Sequence, residues 1–117
     1  MAEGFIKLHR KLLDWEWYDD ANTKILFIHC LLRANWESGS WHGISYGPGQ
    51  FITSLPSLAE ETGMTIKQVR TALSHLKKTG EVADKAYTKF RVITVNNWDE
   101  YQLEGRQRAD KGQQIKK

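Results

Sequence analysis

Ser54-Leu-Pro-Ser-Leu-Ala-Glu-Glu-Thr-Gly-Met-Thr-Ile-Lys-Gln-Val-Arg-Thr-Ala-Leu-Ser-His-Leu-Lys-Lys-Thr-Gly80 decides how this chain folds. Residues 57–63 predict a helix of little more than two turns. Ser54 or Ser57 can offer a hydroxyl to its free N–H groups, and Gly63 can take the left-handed conformation that ends it. A second helix follows at once with Thr65 as its N-cap. Ile66, Val69, Leu73 and Leu76 recur at the three- and four-residue spacing of one buried face, and Gly80 stops the helix.

At about 100° per residue, the side opposite that stripe gathers Lys67, Gln68, Thr71, Ser74, His75 and Lys78, with Arg70 and Lys77 at its margins. No acid interrupts it. Such side chains bond phosphate oxygens or base edges, which is what the second helix of a helix-turn-helix brings to a DNA major groove. On an isolated helix, a solvated face of Lys, Gln and Ser is the ordinary explanation. Here the preceding helix, the short joint at Met64-Thr65 and the hairpin after Gly80 together predict a winged helix: an α+β fold with a three-helix core, a small antiparallel sheet and a β-hairpin wing.

The remaining segments fit that order. Phe5 to Leu8 reads as a short strand or extended arm, and His9 to Trp15 as a short helix with Leu12 and Leu13 inward. Asp19, Asp20 or Asn22 can cap a helix running from Asn22 or Thr23 to about Trp36, whose apolar residues are Ile25, Leu26, Ile28, Leu31, Leu32 and Trp36. Ser38 to Gly49 holds four glycines and a proline and reads as a loop. Gln50 to Thr53 is a short strand expected to pair with two wing strands, about Glu81–Tyr87 and Phe90–Val95, with the wing tip near Thr88 and Lys89. Asn96 to Gln102 closes the domain, with Trp98 and Tyr101 packing back. Beyond Leu103 almost nothing is apolar, which predicts a flexible basic tail or linker. The resulting division is an N-terminal extension at 1–20, the winged helix at 21–103 and the tail at 104–117.

A chain of 117 residues supports one domain plus a tail. No apolar run approaches a membrane span, residues 1–13 lack the apolar core of a signal peptide, and the single Cys30 points to a reducing compartment, so a cytoplasmic protein is expected. The net charge of +3 is unevenly spread. Residues 1–63 carry five bases against eight acids, and residues 64–95 carry seven against two. Residues 96–104 add three acids and no base, and residues 105–117 carry five bases against one acid. Positive charge therefore falls on the reading helix, the wing and the tail, as expected when one face meets a polyanion. The folded part stays nearly neutral, so electrostatics alone does not give one copy tight binding.

Phe5-Ile-Lys-Leu-His-Arg-Lys-Leu-Leu13, Leu31-Leu-Arg-Ala-Asn35, Gly49-Gln-Phe-Ile-Thr-Ser-Leu55 with Leu58-Ala59, Lys67-Gln-Val-Arg-Thr-Ala-Leu73, Leu76-Lys-Lys-Thr-Gly-Glu81 and Ile93-Thr-Val-Asn-Asn-Trp98 carry a resemblance. Together they resemble the N-terminal winged-helix domain of DnaD-like replication initiators and phage replisome organisers, over roughly residues 4–102. The Gly-Gln-Phe-Ile-Thr-Ser run is its most distinctive part. The resemblance implies a role in starting DNA replication, with self-association through this domain and a helicase loader among the partners. In that family a C-terminal domain carries further DNA binding, whereas this sequence ends in a basic tail.

Other chemistries find no pattern. His9, His29, His42 and His75 share no metal-ligand spacing, Glu60-Glu61 has no accompanying nucleophile, and the glycines of 43–49 lack the order and the Lys of a phosphate loop, so neither metal, cofactor nor enzyme is expected. Five tryptophans are many for this length. Trp15, Trp17 and Trp41 suggest subunit contact or stacking on single-stranded bases; contact is favoured because Asp14, Glu16, Asp19 and Asp20 would repel phosphate. The expectation is a homo-oligomeric module binding DNA, double-stranded by preference, through Lys67, Gln68, Arg70, Thr71, Ser74, His75 and Lys78 in the groove. Lys85, Lys89 and Arg91 would meet the backbone, and Phe5, Leu8, Trp15, Trp17 and Trp41 would associate copies. A transcriptional regulator using the same helix and an interaction scaffold without DNA contact by the winged helix are the alternatives.

Overall fold

Backbone chemistry places the helix ends. The computed structural model describes residues 4–102; the tail expected at 104–117 lies outside them. Asp20 accepts from the backbone N–H of Thr23 and so caps α1, Ala21–Arg33. Ser54 caps α2, Leu55–Thr62, which ends on Gly63 at φ 77°. Thr65 opens α3, Ile66–Lys78, through a reciprocal capping box: its hydroxyl accepts from Gln68 N–H, and the Gln68 side chain accepts from Thr65 N–H. A last short helix, α4, spans Trp98–Gln102.

Two antiparallel sheets complete an α+β architecture. Strands β3, Gln50–Thr53, β4, Val82–Ala86, and β5, Arg91–Val95, form a sheet of order β3-β5-β4, with Gln50 opposite Thr94 and Ala86 opposite Arg91. The β4–β5 connection closes where Tyr87 N–H donates to Phe90 C=O. The second sheet is a hairpin of β1, Gly39–Trp41, and β2, Ile44–Tyr46. It replaces the loop expected from Ser38 to Gly49. Its turn puts His42 at φ 49° and Gly43 at φ 78°, the left-handed pair that matches the twist of a two-residue hairpin.

Leu26, Cys30 and Leu31 of α1, Leu58 of α2, Val69, Leu73 and Leu76 of α3, and Ile93 and Val95 of β5 share one core with Phe51 and Trp98. Burial of each large aliphatic chain there contributes roughly 1.5–3 kcal/mol. Gly49 permits a close approach: at φ 84°, a Cβ on it would lie 2.6 Å from Trp98 Cβ. Several inward assignments change. Ile66, expected inside, is 40% exposed, because the first turn of α3 projects beyond the core. Ile25 and Leu32 of α1 and Leu13 face outward. The helix expected to reach Trp36 stops at Arg33; Trp36 follows it and sets its ring 4.9 Å from that of Trp98, edge to face.

Of the two expectations for Phe5–Leu8, the arm holds and the strand does not, and the short helix expected at His9–Trp15 is a 3-10 one. The N-terminal segment runs extended and then makes a 3-10 turn at Arg10–Asp14. Gln102 holds it by donating to Lys7 C=O and accepting from Lys7 N–H, a side-chain amide copying a strand's two bonds. No described helix is long and apolar enough to cross a membrane.

Candidate nucleic-acid interface

Helix α3 presents Lys67, Gln68, Arg70, Thr71, Ser74 and Lys78 as exposed residues. The helical wheel explains how they divide. Lys67, Thr71, Ser74 and Lys78 lie within about 60° of one another and form the crest. Gln68 and His75 share one margin, and Arg70 and Lys77 the other. Basic residues at 75, 77 and 78 also sit in the last turn, where they complement the negative end of the helix dipole.

His75 does not belong to the open crest. Its ring lies flat on that of Trp17, 4.1 Å between centroids and 7° between planes. Its Nδ1 is 2.8 Å from Thr23 Oγ1 and 3.4 Å from Asp20 Oδ2. Its groups serve the N-terminal segment and α1. Gln68 is partly committed as well, since its carbonyl oxygen closes the capping box while its amide N–H groups stay outside it.

The opposite margin faces the β4–β5 hairpin across a cleft of about 230 Å³ lined by Leu55, Arg70, Leu73, Ser74, Lys77, Asp84 and Arg91. Arg91 Nη1 donates to Asp84 Oδ2 at 2.6 Å, and Lys77 Nζ is 3.6 Å from the same oxygen. The Asp84 side chain is 1% exposed, and its Oδ1 is buried with no hydrogen-bond partner. Ala86 pairs with Arg91 across the hairpin, so Asp84 stands diagonal to Arg91 on the same face. The cleft thus holds three cations against one anion, with Ser74 as a neutral donor at its lip. Such a surplus of fixed donors suits a phosphate oxygen.

Lys85 and Lys89 are exposed on the outer part of the hairpin, Lys85 Nζ standing 5.4 Å from the centre of the Tyr87 ring. The structure therefore joins Arg70, Ser74 and Arg91 in the cleft and sets Lys85 and Lys89 beyond it. Lys77 and Asp84 were absent from the sequence-derived site. Lys77 stands at the margin of the face in sequence, and the place of Asp84 follows from the hairpin register, which pairs Ala86 with Arg91.

The residues expected to associate copies fall into two groups. Phe5 and Leu8 are 81% and 51% exposed, and Trp41 is 44% exposed against Phe90 and His42. Trp15 and Trp17 are engaged within the chain. Trp15 packs on Phe27 and its Nε1 donates to Glu81 Oε2 at 2.9 Å; Trp17 Nε1 donates to Thr79 Oγ1 at 2.9 Å. These two rings fasten the N-terminal segment to the end of α3.

Cys30 is wholly buried, and burial first, with the charge of Asp84 second, pushes its thiol up to about 12, so it stays a thiol rather than a nucleophile near neutral pH. Among the described residues no three His, Cys, Asp or Glu side chains are grouped to hold a metal. A larger groove of about 410 Å³, lined in part by Leu8, Leu12, Trp15, Phe27 and Trp98, includes no residue of α3. Comparisons of the chain with protein-family models, curated proteins and solved structures return no match.

Proposed function

We propose that this chain is a winged-helix DNA-binding module of a replication-initiation or replisome-organising system. In that reading α3 enters the major groove, β4–β5 is the wing that meets the flanking backbone, and copies associate. The observation that carries it is the α3 crest: Lys67, Thr71, Ser74 and Lys78 are exposed together, with no acid among them, on a helix whose other side is locked into the core. A strand-paired hairpin follows directly and places Arg91 across a cleft from Arg70. The element order of helix, strand, helix, helix, strand, strand from α1 onward supports the same fold, apart from the inserted β1–β2 hairpin.

The replication role rests on the resemblance to DnaD-like initiators and phage replisome organisers, and a helicase loader is the partner it implies. Self-association is supported by the apolar side chains left in water, Phe5, Leu8, Leu13 and Leu32. Those same side chains favour the second reading, an assembly scaffold. Nothing in either reading uses a catalytic step.

Nuclease footprinting on long duplexes tests the assignment. An organiser coats or remodels extended DNA, so protection should spread with protein concentration. One short protected palindrome would instead mark a transcriptional regulator. Absence of any protection, with oligomers intact in light scattering, would leave the scaffold.

A further inference from the structure

Three aromatic residues from two separate hairpins meet outside the core. Tyr87 and Phe90 stack at 4.6 Å with 10° between planes, and Trp41 sets its edge against Phe90 at 5.2 Å. None of the three belongs to the buried core, and Trp41 is 44% exposed. Large rings kept out of a core leave apolar area in water, so their gathering calls for a partner that uses ring faces. His42, beside Trp41 at 4.0 Å, extends the cluster.

Charge within the two hairpin segments has one sign. Residues 39–46 and 85–91 contain no acid, while Lys85, Lys89 and Arg91 are basic. Of the acids nearest in sequence, Asp84 has its side chain buried and bound to Arg91, and Glu37 lies exposed two residues before β1. The acidic neighbours that set Trp15 and Trp17 against phosphate are absent from these two segments. Both hairpins are closed by hydrogen-bonded pairs, so the rings are held in place before anything binds.

We infer that the cluster of Trp41, Tyr87 and Phe90, flanked by Lys85 and Lys89, binds single-stranded DNA by stacking on unpaired bases. Aromatic rings beside cations are the recurring means of holding a single strand, because every base has a π-face and every linkage a phosphate. A duplex keeps its base faces stacked inward and does not offer them to a hairpin tip. This surface lies apart from the α3 crest and does not rest on the groove-binding role of that helix.

The test uses the full chain and a fluorescein-labelled oligothymidylate of roughly 15 nucleotides, followed by anisotropy. Trp41→Ala and Phe90→Ala should each weaken binding at least about fivefold, whereas Trp41→Phe should stay within about twofold, since a stacking face remains. Thermal melting reports whether each variant keeps its fold, and Lys85→Ala with Lys89→Ala gives a second series that removes charge without touching the rings. That pair should flatten the salt dependence of oligothymidylate binding. Lys67→Glu with Lys78→Glu should leave oligothymidylate binding in place even where duplex binding is lost. Unchanged affinity in the two alanine variants, or an equal loss for a duplex, would overturn the inference. So would Trp41→Ala splitting an oligomer without altering oligothymidylate binding. Tighter binding of an oligouridylate of the same length would assign the surface to RNA and overturn the DNA assignment.

Discussion

His75 and Trp17 lie face to face, 4.1 Å apart and within 7° of parallel, so the helix that carries the basic crest is clamped to the N-terminal segment by one of its own margin residues. The clamp is completed by the Trp17 Nε1 bond to Thr79 and the Trp15 Nε1 bond to Glu81. Trp17→Ala removes a stacked ring and the Nε1 bond to Thr79, whose hydroxyl keeps its bond to His75 C=O. Trp17 and Thr79 are partly buried, so unfolding free energy should fall by about 1–3 kcal/mol in urea titration. Duplex affinity should change little, because the crest is untouched. A variant as stable as the parent would show that the clamp contributes nothing.

Asp84 holds two cations of the cleft, and neutralising it separates stability from binding. Asp84→Asn leaves Arg91 and Lys77 without their anion. Lys77 is half in water and Arg91 partly so, which limits the expected loss of stability to about 1–3 kcal/mol. The cleft then carries one more net positive charge. Duplex affinity at low salt should rise, with a steeper fall as salt is added. Weaker binding at every salt concentration would contradict the place given to this cleft.

Thr65 and Gln68 satisfy each other's backbone at the start of α3, and both are exposed. Thr65→Ala should cost about 1 kcal/mol without opening a cavity. The double variant with Gln68→Ala should cost less than the two single losses added, since each removes part of one reciprocal pair. Additive losses in chemical denaturation would show two independent contacts.

Cys30 sets a pH signature. Its thiol titrates near 9.0 when unfolded and is pushed up to about 12 when folded, by burial first and by Asp84 second. A raised folded value means that this contribution is complete below pH 9 and is lost as pH climbs from 9 toward 12, because the unfolded chain releases its proton first. Stability should therefore drop by about 1.4 kcal/mol per pH unit across that window from this group. Cys30→Ala should be less stable than the parent below pH 9 because of its cavity, yet should lack this added slope above it. An aromatic disulfide reagent should fail to label the native thiol at pH 8 and label it after unfolding. Rapid labelling of the native chain would contradict its burial.

Where the signals were local, the sequence carried the fold well. Thr65, Gly63, Gly80 and the spacing of Val69, Leu73 and Leu76 are readable because capping and helical periodicity act over four residues. The strand at Gln50–Thr53 and its partners were legible for a similar reason: alternation bounded by turn residues. The β1–β2 hairpin was hidden because its glycines read as a loop, while the turn signal His42-Gly43 is a less familiar left-handed pair. The bonds of Trp15 and Trp17 within the chain were not legible because their partners Glu81 and Thr79 lie 66 and 62 residues away, a distance at which no pattern operates. His75 illustrates the same limit within α3. Its place on the wheel suits the polar face, but Trp17 and Thr23, distant in sequence, claim its ring. The Asp84 bond to Arg91 needed the hairpin register before it could be seen.

The salt dependence of duplex binding by Lys67→Glu with Lys78→Glu tests the central claim most directly. Both side chains are exposed, so the fold should persist, and thermal melting checks it. If the crest of α3 meets DNA, anisotropy on a labelled duplex should show weaker binding and a plot of log affinity against log salt flattened by about two units, roughly 0.9 for each lost phosphate contact. Unchanged affinity and slope in a folded double variant would contradict the account.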